Sequence, residues 1–248
     1  VAAMNPVSNP IALVTGGSRG IGAQIAQRLA QDGFTVAVNY TSNPAAADEV
    51  VAQITADGGK AFAVQADISD AAAVAAMFDD ITKRGDLTVL VNNAGIMSLG
   101  SIAEMDSGVF ERMLSINLLG SFNTMQQAAK HMVAGGRVIN TSSSVTKLLQ
   151  PTYGPYAATK AAVEAMSVVF ARELRGRSIT VNTIAPGPTA SALFLNGKTP
   201  EQIQHLENIS PLQRLGQPSD IAAVVSFLAG PDGAWVNGQT LFANGGAI

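Results

Sequence analysis

Tyr156 and Lys160 stand four residues apart in the Ala-rich stretch Tyr-Ala-Ala-Thr-Lys, whose pattern predicts a helix over 156–174. Four residues is about one helical turn, so the phenol and the amine share a face. A phenol near pKa 10 is a poor acid-base group at neutral pH, and an ammonium beside it favours the phenolate and draws that pKa toward the working range. Ser143 lies thirteen residues before Tyr156. It follows the β-branched run Val138-Ile139-Asn140-Thr141, which reads as a buried strand over 137–141. The strand's end and the helix's start then meet at one level, where a hydroxyl, a phenol and an amine converge on one carbonyl oxygen. Alone, Tyr-x-x-x-Lys is equally well explained by a surface tyrosine lying on a lysine stem, so the rest of the chain has to decide. Ser142 and Ser144 flank Ser143, and only the thirteen-residue spacing selects the middle serine.

The elements that must position these groups begin with Ile11-Ala12-Leu13-Val14, an apolar strand that runs into Thr15-Gly16-Gly17-Ser18-Arg19-Gly20-Ile21-Gly22 and then a helical pattern to Leu29. Glycine lets a backbone turn tightly and approach a pyrophosphate, while a helix N-terminus presents unpaired N–H groups to anionic oxygens. Strands over 35–38, 61–65, 89–91, 137–141, 179–184 and 239–243 follow, alternating with helical patterns over 45–57, 71–80, 110–133, 156–174 and 221–228. That rhythm predicts right-handed crossovers and a parallel sheet covered on both faces. The helix over 156–174 is apolar around most of its circumference, so it must be covered on two sides, by the sheet and by a partner subunit. The rhythm lapses over 190–211, with one short helical pattern at 200–208. An excursion of that length is more often a functional lid than a connector.

The glycine spacing is G-x-x-x-G-x-G rather than G-x-G-x-x-G. TGGSRGIG, followed in order by Asn92-Asn93-Ala94-Gly95, Asn117, Ser143, Tyr156, Lys160 and Pro186-Gly187, resembles the short-chain dehydrogenase/reductase family over residues 11–246. The resemblance implies a single-domain, doubly wound α/β Rossmann fold with seven parallel strands, and a hydride-transferring oxidoreductase acting on the pro-S face. Gly16, Ser18, Arg19, Gly20, Ile21 and Gly22 would cradle the dinucleotide's phosphates, and Asp67 and Ile68 would meet the adenine. Asn93, Ala94 and Gly95 would lie along the cofactor, and Pro186, Gly187 and Thr189 would touch the nicotinamide amide. Tyr156 would be the general acid and Ser143 would align the carbonyl. Lys160 would hold the nicotinamide ribose, and Asn117 would anchor a water linking Lys160 to solvent. The resemblance also implies a homotetramer, against which a solution mass near 25 kDa would count. Thr88, Ser191 and Asn244 depart from residues usual in the family, which are Asp, Thr and Asp respectively, the first departure putting in doubt a local hydrogen bond beneath the sheet rather than the chemistry.

The predicted second strand ends at Asn39-Tyr40-Thr41-Ser42, four residues expected to contact the cofactor, without the acidic residue that would hold a ribose 2′-hydroxyl and repel a 2′-phosphate. Arg19, Thr41 and Ser42 could receive that phosphate instead, which predicts NADP(H) as cofactor. Apolar candidates for the pocket wall, Ile96, Met97, Leu148, Leu149, Tyr153, Pro188 and Phe194, favour a ketone or aldehyde with a hydrophobic body. The alternative is a 3-oxoacyl carrier-protein reductase, whose acidic carrier calls for a basic rim, with Arg172, Arg175 and Arg177 as candidates. A cofactor-sensing protein without turnover is a third reading, which the intact Ser143, Tyr156 and Lys160 speak against.

Composition sets the outer bounds. At 248 residues, 47% hydrophobic and 13% charged, the chain fits one large α/β domain with a substantial interior. A net charge of −3 offers no basic footprint for nucleic acid or an acidic membrane. There is no cysteine, and His131 and His205 lack metal-ligand spacing, so thiol chemistry is excluded and a zinc site or Ser-His-Asp triad disfavoured. His131 reads as a helix-end residue and His205 as a surface one. The run over 221–230 is too short to span a bilayer and the first ten residues lack a signal peptide's apolar segment, so the expected location is cytoplasmic. Val1-Ala2-Ala3 ahead of Met4 leave open where the native chain starts.

Overall fold

The computed structural model describes residues 9–248, the side chain of Leu193 excepted; the segment around Val1–Ala3 and Met4 lies outside the described residues. Strand β1 (Pro10–Val14) leads through the glycine turn into α1 (Gly20–Gln31). Then come β2 (Thr35–Tyr40), α2 (Pro44–Ala56), β3 (Lys60–Gln65), α3 (Ala71–Thr82) and β4 (Asp86–Asn92). Helix α4 (Ser107–Met113) passes through a π-helical segment (Leu114–Leu119) into α5 (Gly120–His131), followed by β5 (Arg137–Thr141), α6 (Val145–Leu148) and α7 (Gly154–Glu173). The chain finishes with β6 (Thr180–Pro186), α8 (Ala192–Leu195), α9 (Pro200–Ile209), α10 (Pro218–Ala229) and β7 (Thr240–Ala243).

All seven strands form one parallel sheet in the order β3-β2-β1-β4-β5-β6-β7. The order reverses between β1 and β4, which opens a crevice at their carboxyl ends, where such folds bind ligands. Alternation along β1 divides the core. Ile11 and Leu13 face a cluster with Phe78, Ile81, Leu90 and Phe170, while Ala12 and Val14 face another with Ile25, Leu29, Val225 and Leu228. Helix starts follow local chemistry. Asn43 caps α2 ahead of Pro44, Asp70 caps α3 by accepting from the Ala72 and Ala73 N–H groups, and Thr199 and Gln202 form a reciprocal cap on α9.

The structure corrects one sequence expectation about the fold and answers a question left at another position. The uninterrupted helix expected over 110–133 is two α-helices joined by the π segment that carries Asn117. One inserted residue changes the backbone ladder without disturbing an apolar stripe enough to show. The other position is Thr88, where the family usually has Asp. Its hydroxyl donates to the Ile11 carbonyl (3.1 Å), beside the register shift where β4 passes β1, so a local bond beneath the sheet exists with different chemistry.

Candidate active site

The glycine turn at the end of β1 is strapped down by polar side chains. The Asn93 and Ala94 N–H groups both donate to the Thr15 hydroxyl, and Asn93 Nδ2 donates to the Thr15 and Gly16 carbonyls (3.0 and 3.1 Å). Asn39 is buried rather than turned toward a ligand. Its Oδ1 accepts from the Gly16 N–H (3.2 Å) and its Nδ2 donates to the Val64 and Ala66 carbonyls. It therefore ties the turn to β3, a bracing role that differs from the direct contact expected of it. Tyr40, Thr41 and Ser42 stand beyond it, the last two exposed, as is Arg19.

Across the crevice, Lys160 is 4% exposed and donates from Nζ to the Thr141 carbonyl at the end of β5 (2.8 Å). Its Nζ lies 5.8 Å from the centre of the Tyr156 ring. Burial pushes the Tyr156 phenol up to about 12; the facing Ser143 hydroxyl opposes the rise and the neighbouring Tyr153 adds to it. Burial brings Lys160 down to about 8. Burial is thus the largest influence on both groups, and it depends on the whole surroundings rather than on spacing along a helix. Ser143 is also singled out from its neighbours. Ser142 Oγ donates to Glu164 (2.6 Å), and Ser144 Oγ is engaged by the Ala185 carbonyl (3.3 Å) and Asn244 Nδ2 (3.2 Å). The Val145 N–H donates to Ser143 Oγ (3.4 Å), and that hydroxyl faces the Tyr156 phenol.

Asn117 is 1% exposed, and its amide is fully used: Oδ1 accepts from the Ile96 N–H (2.8 Å), while Nδ2 donates to the Ile96 carbonyl (2.9 Å) and Thr159 Oγ1 (3.1 Å). It thus ties the segment after β4 to the helix of Tyr156. Gly95 sits between them, where a Cβ would lie 3.2 Å from Asn117 Oδ1 and 3.5 Å from Lys160 Nζ. Asp67 holds Ser69 through its N–H and hydroxyl, which keeps the carboxyl below the usual range, and the Ile68 carbonyl accepts from Asn123. Thr189 donates to the Gly187 carbonyl (2.9 Å), and the Gly187 N–H donates to Ala243.

These features sit in a widely shared framework. A family model described as enoyl-(acyl carrier protein) reductase matches residues 16–247. A solved short chain dehydrogenase from Burkholderia cenocepacia, in complex with NADP, superposes with a TM-score of 0.91 at 39% identity, covering 98% of this chain and 99% of that one. The chain belongs to the short-chain dehydrogenase/reductase family. An Arabidopsis thaliana relative named NADPH-dependent aldehyde reductase-like protein, chloroplastic, is 41% identical over 258 residues, 98% of this chain and 96% of its own. A Staphylococcus aureus relative named 3-oxoacyl-[acyl-carrier-protein] reductase FabG is 43% identical over 240 residues, 95% of this chain and 96% of its own.

As a short-chain dehydrogenase/reductase, the chain has a turn that fits a dinucleotide on its own geometry. Gly16 and Gly20 take φ of +60° and +54°, and a Cβ on Gly22 would stand 2.2 Å from the Gly16 carbonyl oxygen. Arg19 precedes α1 without a side-chain hydrogen bond to its first turn, which leaves N–H donors for an anion. Among the described residues Arg19 makes no ion pair, and β2 ends without a carboxylate, a setting compatible with a 2′-phosphate. No helix of the described residues is long and apolar enough to cross a membrane.

Proposed function

We propose that this chain reduces the carbonyl of a ketone or aldehyde to an alcohol, reversibly, with NADP(H) as cofactor. The observation that carries the reading is the meeting of Ser143, Tyr156 and Lys160 at the carboxyl ends of β5 and β6, across the crevice from the glycine turn. NADPH, when bound, supplies the hydride for the carbonyl carbon. The backbone of residues 16–22 would hold its pyrophosphate, Arg19, Thr41 and Ser42 its 2′-phosphate, and Lys160 its nicotinamide ribose. Tyr156 gives its proton to the carbonyl oxygen. With the phenol pushed up to about 12 in the free chain, it carries that proton throughout the neutral range, as an acid must. Ser143 donates to the same oxygen and so meets the charge developing there. Asn117 supports the wall between the loop after β4 and α7.

The substrate reading rests on the mouth of the crevice. Leu149 and Ile102 are 72% and 85% exposed, and the loops bearing them are joined by the Gly100 N–H donating to the Thr152 carbonyl. The cations expected to form a carrier-protein rim are elsewhere. Arg172 follows Tyr156 by sixteen residues on α7, about 24 Å along the helix. Arg177 is spent on the carbonyls of Ala129 and Met132 at the end of α5. A free carbonyl compound with an apolar body fits this mouth better than an acyl-carrier thioester. The segment 190–211 would act as its lid, stapled at its base where Thr189 pairs with Gly216. Cytoplasmic residence and a homotetramer, covering Leu119, Phe122 and Val169, complete the reading; cell fractionation and light scattering test them, and a 25.4 kDa particle in solution would remove the tetramer.

The test is NADPH oxidation followed with a panel of aldehydes, ketones and 3-oxoacyl thioesters, alongside Tyr156→Phe. Turnover on free carbonyls, lost by a factor of at least about a hundred in the variant while NADPH binding persists, is expected. A higher efficiency with NADH, or near-normal turnover by Y156F, would discard the corresponding assignment.

A further inference from the structure

Glu164 is half-buried on α7, eight residues after Tyr156 and four after Lys160. Its Oε1 accepts from Ser142 Oγ (2.6 Å) and from Thr146 Oγ1 (2.9 Å). Those two residues, Thr146 in the first turn of α6, bracket Ser143 in the connection between β5 and α7. Thr146 Oγ1 also lies 3.0 Å from the Ser143 carbonyl, so its single proton is shared between the loop's own backbone and the carboxylate. On its other side the loop is fixed to β6, where the Ser142 N–H donates to Ile184 (2.7 Å) and the Ser144 N–H to Pro186 (2.9 Å). The backbone bonds set the loop's height above the sheet. They do not set its distance from α7.

We infer that Glu164 is a positioning residue, which sets the separation between the Ser143 hydroxyl and the Tyr156 hydroxyl by fixing both flanks of Ser143 to the helix that carries Tyr156. The role extends the proposed carbonyl reduction and rests on it only for its kinetic consequence. Hydrogen bonds to an ionised acceptor are short and strong, and two on one oxygen make a stiff bracket. The bracket works through geometry rather than charge: the shifts of Tyr156 and Lys160 arise from burial, Ser143 and Tyr153, with no contribution from Glu164. An uncharged acceptor of the same shape should therefore serve, and a methyl group should not.

In Glu164→Ala the turnover number on the best carbonyl of the panel should fall about tenfold, with KM for the carbonyl and Kd for NADPH, read by fluorescence, within about twofold. E164Q, whose amide oxygen still accepts from both hydroxyls, should recover most of that loss. S142A, which removes the shorter bond and leaves the carboxylate in place, should show a partial one even if E164A folds poorly. In the S143A background, E164A should cost almost nothing further, because its effect passes through a hydroxyl already gone. Full turnover in E164A, equal loss in E164Q and E164A, or additive losses with S143A would each overturn the role. Crystal structures of wild type and E164A decide it independently of turnover. Ser143 displaced from Tyr156 supports the bracket, and Ser143 unmoved refutes it. The carbonyl-reduction reading fails separately, if the wild type turns over no member of the panel.

Discussion

Gly22→Ala tests how closely the glycine turn and the first helix are fitted together. A Cβ at position 22 would lie 2.2 Å from the Gly16 carbonyl oxygen, 3.0 Å from its carbon and 2.5 Å from Asn93 Nδ2. Carbon–oxygen contacts normally open to about 3.3 Å, so the turn or α1 has to move by roughly 1 Å. The neighbour is backbone, and the only flexible group nearby is the Asn93 amide that holds the turn to β4. Overpacking of this kind costs about 1–3 kcal/mol, and loosening the two Asn93 bonds adds about 1 kcal/mol each. Alanine's better helix propensity returns about 1 kcal/mol. The net is a destabilisation of about 2–4 kcal/mol, or a midpoint lower by roughly 5–15 °C for a domain of this size. NADPH affinity should fall further than stability, by about a hundredfold or more, because the displaced N–H groups are those that would meet the pyrophosphate. Gly58→Ala is the control. Its φ of +83° strains any side chain, but nothing lies within 4 Å of its Cβ. It should cost about 1–2 kcal/mol with NADPH affinity intact. Thermal unfolding and NADPH fluorescence titration of both variants suffice, and a G22A protein binding NADPH within threefold of wild type would refute the reasoning.

Lys160→Met should change the pH dependence of stability in a defined sense. Lys160 falls from the ordinary 10.5 to about 8 in the folded chain, so between those values the unfolded state holds the extra proton and folding gains as pH rises. Urea unfolding should show the wild type gaining on K160M by up to about 3 kcal/mol from pH 7 to 10.5, and a flat difference would show that burial does not control this amine. Asn39→Asp replaces a donor to the Val64 and Ala66 carbonyls with an acceptor at the same place. A loss of about 2–3 kcal/mol and weaker NADPH binding are expected in calorimetry and titration, and an unchanged midpoint would show that Asn39 does not brace the glycine turn.

Much of the fold was legible because its signals are local. The apolar runs of β1, β4 and β5 and the glycines of the turn each answer to residues close by in the chain. The strand alternation needed only period two, and the two core clusters confirm it residue by residue along β1. What could not be read depends on contacts across long separations. Asn39 resembles a ligand contact in sequence because it sits where an acidic residue often does, yet its partners come from β3 and the glycine turn. Glu164 looks like one more polar position on an otherwise apolar helix, since Ser142 and Thr146 approach it only after β5 and α7 have packed. The burial of Tyr156 was illegible for a related reason. Spacing brings the ammonium near, but desolvation depends on everything that surrounds the phenol.

A further set of buried polar residues explains how the site tolerates being assembled from so many separate elements. Asn92 on β4 donates to Asn140 on β5 (2.8 Å) and accepts from Thr124 on α5 (2.7 Å), and Asn140 donates in turn to Ser167 on α7 (2.7 Å). All four are buried in the apolar layer that covers one face of the sheet. Apolar packing alone would gain as much stability there, since neutral hydrogen bonds contribute only about 1 kcal/mol net. It would also accept small slides of a helix along the strands. A chain of directional bonds does not, because a shift of even one ångström leaves buried amides unpaired at about 1–3 kcal/mol apiece. Ser143 hangs from the end of β5 and Tyr156 and Lys160 from the start of α7, so their mutual distance is set by the register of that helix on that strand. The Asn140–Ser167 bond fixes the register two helical turns below Lys160, and Glu164 fixes it again one turn below. Polar groups in this core therefore hold the relative geometry of Ser143, Tyr156 and Lys160, the three side chains proposed to act on the carbonyl.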